Sequence, residues 1–378
     1  MKPRERASAI IYCQGAFGTT NGKTAHGLVR RSSRYRVLSV VDAKHAGEDA
    51  GEILGGVRLG IPVFGRIEEA LQAALSLDQD PSHMVIGLAP DGGRMGAEVR
   101  RDVILAIRHG LDIDSGLHDL LTEDPDLEYL AFSHGVSLRD VRKPPPKSML
   151  HFFSGRIEEV ESLVVAVLGT DSAVGKRTTA WLLVDALVRA GLKAEMVGTG
   201  QTAWFQGARF GLVMDCLPND FVAGEIEHAV VSAWDKCRPD VIVVEGQGSL
   251  MHPAYPGGFE ILAAARPRAV VLQHAPARRD YDGFPGHQIH PLAHQIEAIE
   301  CVSGTPVVAV TVNHEALDAA DITSVCDRIA SEADRPAFDV LAGGSKGLLS
   351  TLSERFPDLD KAAHGVRTAA EGIARSQR

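Results

Sequence analysis

Leu163-Val164-Val165-Ala166-Val167-Leu168-Gly169-Thr170-Asp171-Ser172-Ala173-Val174-Gly175-Lys176-Arg177-Thr178-Thr179 is the stretch that decides the fold. Its first six residues are wholly apolar, as expected of a strand covered on both faces. Its end opens a helix predicted over residues 177–190, with Gly191 as the residue that closes it. A glycine-bounded turn ending in Gly175-Lys176 joins the two. Strand, glycine-rich turn, lysine and helix is the setting of a phosphate-binding loop. Glycines let backbone N–H groups turn toward a phosphate, the helix N-terminus adds partial positive charge, and Lys176 adds a full one. The reading assigns Gly169, Thr170, Asp171, Ser172, Ala173, Val174, Gly175, Lys176, Arg177 and Thr178 to the ligand loop.

Two positions depart from the common Gly-x-x-x-x-Gly-Lys-[Ser/Thr] frame. Thr170 stands where the first glycine belongs, with Gly169 one residue earlier. Arg177 stands where a magnesium-binding hydroxyl belongs, leaving Thr178 or Thr179 as displaced substitutes. A diphosphate bound without metal is therefore an open alternative to magnesium-assisted nucleotide chemistry. The Gly-Thr-Asp-x-x-x-Gly-Lys form resembles dethiobiotin synthetase and its P-loop relatives.

Working outward, further apolar runs at 194–197, 241–244, 269–272 and 307–312 predict buried strands of the same sheet. Ligands bind at the carboxyl edge of such sheets. Glu245, in Glu245-Gly246-Gln247-Gly248-Ser249-Leu250, lies at that edge, with His252 just beyond. Gly198-Thr199-Gly200 passes the same test. Asp220 opens a helix and reads equally well as its N-cap. His287, His290 and His294 have helical spacing, but Pro291 puts a helix start between them, so no metal site is expected.

The N-terminal part repeats the alternation. Strands are predicted at 9–13, 37–42, 61–64 and 84–88, the last ending in a turn over 89–93, with helices over 67–77 and 97–109. This is a Rossmann-like pattern. Gly22-Lys23-Thr24 follows the first strand, with Arg30 nearby, and Asp42 stands where a dinucleotide fold places its ribose carboxylate. Arg142-Lys143-Pro144-Pro145-Pro146-Lys147 forbids both helix and sheet, and marks the division into residues 1–143 and 148–378. The expected class is therefore α/β, an N-terminal Rossmann-like domain and a C-terminal P-loop parallel α/β domain. A polar tail follows Gly365.

The chain has 378 residues, 39 Lys+Arg against 49 Asp+Glu, and a net charge of −10. That balance argues against nucleic-acid and anionic-membrane partners. The five cysteines are scattered without a Cys-x-x-Cys, as in reduced cytoplasmic proteins. No apolar run suits a signal segment or a membrane span, so a cytoplasmic location is expected.

Several segments in one order resemble the D-glutamate N-acetyltransferase family over nearly the whole chain. They are Gly22-Lys23-Thr24-Ala25-His26-Gly27-Leu28, Ser115-Gly116-Leu117-His118, Asp140-Val141-Arg142-Lys143, the P-loop, Asp220-Phe221-Val222-Ala223-Gly224-Glu225, and Glu245 to Leu250. The resemblance implies acetyl-CoA as donor and D-glutamate, or a related acidic amino acid, as acceptor, in amino-acid catabolism. A P-loop can cradle the coenzyme A diphosphate. Acetyl transfer needs a base for the ammonium and donors for the thioester oxyanion. Glu245 and His252 are the candidate bases, and Ser249 with the neighbouring amides the candidate oxyanion donors. Lys23, Arg30 and Arg177 are candidate carboxylate partners, with Asp220 and Gln247 as further substrate contacts. The rivals are an ATP- and magnesium-dependent ligase or kinase and a non-catalytic nucleotide sensor. A homo-oligomer is expected, as is common for such enzymes.

Overall fold

The computed structural model describes residues 6–89 and 93–359. The turn expected over 89–93 falls partly outside these residues, and the tail after Gly365 wholly outside. The chain divides into two compact units, one comprising the residues up to Pro145 together with Gln201–Ala208, the other Pro146–Gly200 and the residues from Arg209 onward. The division at 145/146 lies within the three prolines.

The first unit is a six-stranded parallel sheet in the order β3-β2-β1-β4-β5-β6. Its strands are β1 (Ala7–Tyr12), β2 (Tyr35–Val41), β3 (Val63–Phe64), β4 (His83–Ile86), β5 (Asp112–Ser115) and β6 (Leu138–Asp140). Helices α1 (Lys23–Arg30), α2 (Ala50–Gly55), α3 (Ile67–Ser76), α4 (Ala97–Arg108) and α5 (Pro125–His134) alternate with them. This is the Rossmann strand order, with its switch between β1 and β4.

At that switch the glycine-rich turn after β1 is held from within by a side chain. Asp42, fully buried, accepts hydrogen bonds from the amides of Gly15 (3.1 Å), Phe17 (2.9 Å) and Lys44 (3.0 Å). The carboxylate read as a ribose contact is instead the acceptor that folds the turn, because buried amides must find a partner.

Residues 201–208 depart from the expected range of the second domain and count with the first unit. They carry α7 (Gln201–Gln206). Phe205 joins the first unit's core, Gln206 Nε2 donates to Gly27 O (2.7 Å), Arg34 Nε donates to Trp204 O (2.9 Å), and the Thr24 and Thr202 hydroxyls are 2.8 Å apart.

The second unit is a seven-stranded parallel sheet, β13-β12-β11-β7-β10-β8-β9. It contains β7 (Leu163–Gly169), β8 (Ala194–Gly198), β9 (Phe210–Gly211), β10 (Val241–Glu245), β11 (Ala269–His274), β12 (Val307–Val312) and β13 (Ala337–Phe338). Its helices are α6 (Lys176–Arg189), α8 (Asn219–Cys237), α9 (Gly258–Ala265), α10 (Leu292–Ser303), α11 (Ile322–Ala333) and α12 (Lys346–Arg355). Every residue of β7, β10 and β12 is buried, as both-face coverage requires. β7 lies between β10 and β11, which puts the P-loop at the centre of the sheet's carboxyl edge.

If Asp42 is structural, Asp42→Ala should lower the unfolding free energy of the first unit by about 2–4 kcal/mol, since three amides lose their acceptor. Chemical denaturation of the full chain checks this; an unchanged transition would return Asp42 to a ligand-facing role.

Candidate active site at the P-loop

The P-loop turns at Ala173 (φ 51°) and Gly175 (φ 105°) and runs directly into α6. Lys176, buried, donates from Nζ to the Asp171 carbonyl at 2.6 Å. The Asp171 side chain is fully buried and holds the loop in shape. It accepts from Arg278 Nη1 (3.0 Å), the Ser172 amide (2.6 Å) and the Asp282 amide (3.1 Å). Arg278 also donates to Ser172 O (2.8 Å) and pairs with Glu315 (2.8 Å). Burial works against its charge, but the bonds to Glu315 and Asp171 prevail and hold its pKa above the usual value. The Asp171 carboxylate is thus committed to contacts within the protein.

Two threonine hydroxyls of this segment are engaged in the same way. Thr170 Oγ1 is hydrogen-bonded to His274 Nδ1 at 2.9 Å. Burial drives the His274 pKa down to about 4, so that ring is neutral. Thr179 Oγ1 donates to Gln273 Oε1 (2.5 Å), which also takes the Thr311 hydroxyl (2.6 Å). Asn313 Nδ2 donates to Val174 O (3.0 Å). Thr179 therefore points into the sheet and does not replace the missing hydroxyl.

Glu245 closes β10, its backbone in register with Val167 of β7. Its carboxylate is buried and accepts the Thr199 amide at 3.0 Å. Burial, the largest influence, raises its pKa, against the opposing effect of Arg177, the Thr199 amide and Lys176. Gly246 follows because a Cβ there would strike the Val167 carbonyl oxygen and the Lys176 side chain. Gly248 (φ 60°) follows because a Cβ would strike the Tyr255 carbonyl. These two contacts fold the 246–255 loop back against the P-loop.

On that loop His252 is buried among Tyr255, Tyr281 and Phe284, with ring centroids 4.9, 5.1 and 5.4 Å away. Its Nδ1 accepts the Ala254 and Tyr255 amides, both at 3.1 Å. The proton of the neutral ring is therefore on Nε2, which lies 3.5 Å from Asp171 Oδ1. Burial lowers the His252 pKa, although Asp171 opposes this. With Nδ1 taken by two amides, the ring is held beside the P-loop carboxylate. Ser249 is buried beside the Tyr281 phenol, and its amide donates to Tyr255 O (3.1 Å). Gln247 lies next to Gly200 and Gly257.

The second unit thus gathers residues 169–178 with Glu245, Gln247, Ser249 and His252. Asp220 is exposed in the first turn of α8; Pro218 takes the N-cap position, and the capping role is not observed. Lys23 and Arg30 open and close α1 in the first unit, both exposed, with Arg30 Nη2 donating to Leu54 O (3.2 Å). His290 Nδ1 is 2.9 Å from the Tyr281 hydroxyl, outside α10 as the proline predicts. Arg278 and Gln273 were not singled out in the sequence, although they end or follow β11 at the same carboxyl edge. Among the described residues, no helix is long and apolar enough to cross a membrane.

Two family models match. Residues 151–349 match the "Domain of unknown function (DUF1611_C) P-loop domain" and residues 43–144 the "Domain of unknown function (DUF1611_N) Rossmann-like domain". A protein of Tritonibacter scottomollicae named D-glutamate N-acetyltransferase is 31% identical over 309 residues, 79% of this chain and 87% of the relative. A protein of the same name from Pseudoalteromonas sp. is 29% identical, covering 71% and 80%. The crystal structure of a DUF1611 family protein from Anabaena variabilis superimposes with a TM-score of 0.84 at 29% identity, over 92% of this chain and all of that one.

The Asp171–Arg278 pair is expected to carry the loop's stability. Arg278→Met should cost about 3–5 kcal/mol in denaturant unfolding, because it strands a buried carboxylate. A loss below about 1 kcal/mol, the scale of an exposed pair, would show that the loop is held otherwise.

Proposed function

The chain belongs to the DUF1611 family, and from that premise we propose that it is an amino-acid N-acetyltransferase. Its donor would be acetyl-CoA, and its acceptor D-glutamate or a related acidic amino acid. One observation carries the reading: the buried carboxylate of Glu245 stands at the end of β10, beside the P-loop strand and under the influence of Lys176 and Arg177. The names of the two relatives supply the reaction class.

The roles follow from the chemistry. The loop amides at the start of α6 and the Lys176 ammonium suit the coenzyme A diphosphate. Glu245, its pKa raised by burial, takes a proton from the acceptor's ammonium and frees the amine lone pair. The amine nitrogen bonds to the thioester carbonyl carbon, the carbon–sulfur bond breaks, and the thiolate is protonated as it leaves. One proton passes to solvent per turnover. The Ser249 amide is spent on Tyr255, which leaves the Ser249 hydroxyl as a donor for the developing oxyanion. Lys23 and Arg30 lie in the first unit, so among the candidate carboxylate partners Arg177 is the one this unit supplies. The organism's need for such a reaction would lie in amino-acid breakdown.

Thiol release from acetyl-CoA with a panel of D- and L-amino acids tests this. D-Glutamate should give the largest kcat/KM. Phosphate release from ATP with magnesium, and no thiol release, would favour a ligase or kinase instead. Binding without turnover would favour a sensor. Lys176→Ala should raise KM for acetyl-CoA by about 10–100-fold, the worth of a lost charge-assisted bond. Glu245→Gln should cut kcat by about 10²–10⁴. Because the carboxylate form is the base and burial raises its pKa, wild-type kcat/KM should fall as pH drops. The midpoint should lie above the ordinary glutamate value of about 4.3, and the Gln variant should lack that limb.

A further inference from the structure

Asp220-Phe221-Val222-Ala223-Gly224-Glu225 lies in the first two turns of α8. It seats residues 151–157, a strap that follows the linker prolines. The strap's backbone runs so close that a Cβ on Gly224 would stand 2.0 Å from the His151 carbonyl oxygen. Phe152 packs on Phe221, with ring centroids 4.6 Å apart. Two carboxylates of α8 hold the strap. Buried Glu227 accepts the Ser154 amide (2.6 Å), the Ser154 hydroxyl (2.9 Å) and the Ile157 amide (3.1 Å). Burial works against that charge, but the amides prevail and hold its pKa below the usual glutamate value. Glu225 accepts both the His151 amide (2.7 Å) and His151 Nδ1 (2.8 Å). The His151 ring then lies flat on His228, one turn further along α8, with centroids 3.7 Å apart and planes 7° from parallel.

We infer that the His151–His228 stack is an acid-sensitive clasp, which holds the leading end of the strap on α8 at neutral pH and releases it when both rings are protonated. Two stacked imidazolium ions at this spacing repel each other, whereas a neutral His228 presents only a ring face. The charged groups around His228 come from both elements. Partial burial is the largest influence against its charge, and the His151 ring comes next. Glu225 favours the charge, while Lys236 and Arg156 oppose it, and the balance lowers the His228 pKa. Release of the strap removes the His151 ring and part of that burial, so the open form takes the second proton more readily. The clasp therefore holds fully above the ordinary histidine value of about 6.5 and weakens as pH falls below it. Glu227 keeps its charge through that range, so Ser154 and Ile157 stay seated. The inference rests on the strap and α8 alone and does not depend on acetyl transfer.

Hydrogen exchange of the full chain, resolved to single amides and corrected for the intrinsic effect of pH, tests it. Protection of the His151 amide should fall by about tenfold between about pH 7.5 and about pH 5, the equivalent of one pKa unit. The Ser154 and Ile157 amides, bonded to Glu227, should keep theirs. His228→Phe retains a flat ring that cannot be charged, and should hold protection of the His151 amide constant within about twofold over the same range. A thermal melt at each pH reads global folding separately. Should the Phe variant fail to fold, the contrast in the wild type between the His151 amide and the two amides on Glu227 still decides. Unchanging protection at His151, an equal loss at all three amides, or a pH dependence that survives in the Phe variant would overturn the inference.

Discussion

The second unit's site depends on one buried carboxylate. Asp171 is wholly removed from solvent, and a charge in that position is tolerated only if it is paired and hydrogen-bonded. Arg278 supplies the opposite charge, and the amides of Ser172 and Asp282 fill its remaining acceptor sites. His252 Nε2 lies against its other side. The segment after β11 and the loop after β10 are thereby tied to the same side chain in the P-loop. The loop's shape is set from behind.

This arrangement explains why so much of the second unit was legible in sequence. A strand buried on both faces must be apolar throughout, so β7, β10, β11 and β12 announced themselves with boundaries within a residue or two of those observed. The edge strands β9 and β13 have two residues each, too short for periodicity to register. Residues 201–208 escaped for another reason. α7 is a short turn buried almost throughout, and nothing local says which core receives Phe205. Membership of a unit is a long-range property. The same holds for Asp42: its position at the end of β2 is that of a ribose partner, but its bonds go to amides 25 and 27 residues away in sequence.

At the site, residue types were readable and their states were not. Spacing placed Glu245 and His252 on one loop at the sheet edge. Their different surroundings emerge from hydrogen bonds that no spacing encodes. Two amides take Nδ1 of His252 and fix its tautomer. The Thr199 amide takes one oxygen of Glu245, while burial lifts its pKa. Arg278 went unnoticed because an arginine after a strand is common, and its importance comes from the buried partner it meets.

The charge balance sharpens the point. On the proposed reading, a chain with net charge −10 receives an anionic ligand at this edge. Arg278 does not help, because Asp171 and Glu315 already neutralise it. Lys176 and Arg177, in the first turn of α6, are the cations that act on Glu245. An arriving anion would offset the two cations that hold down the Glu245 pKa, and would leave burial less opposed. Ligand binding at the P-loop would therefore make Glu245 a stronger base than it is in the free protein.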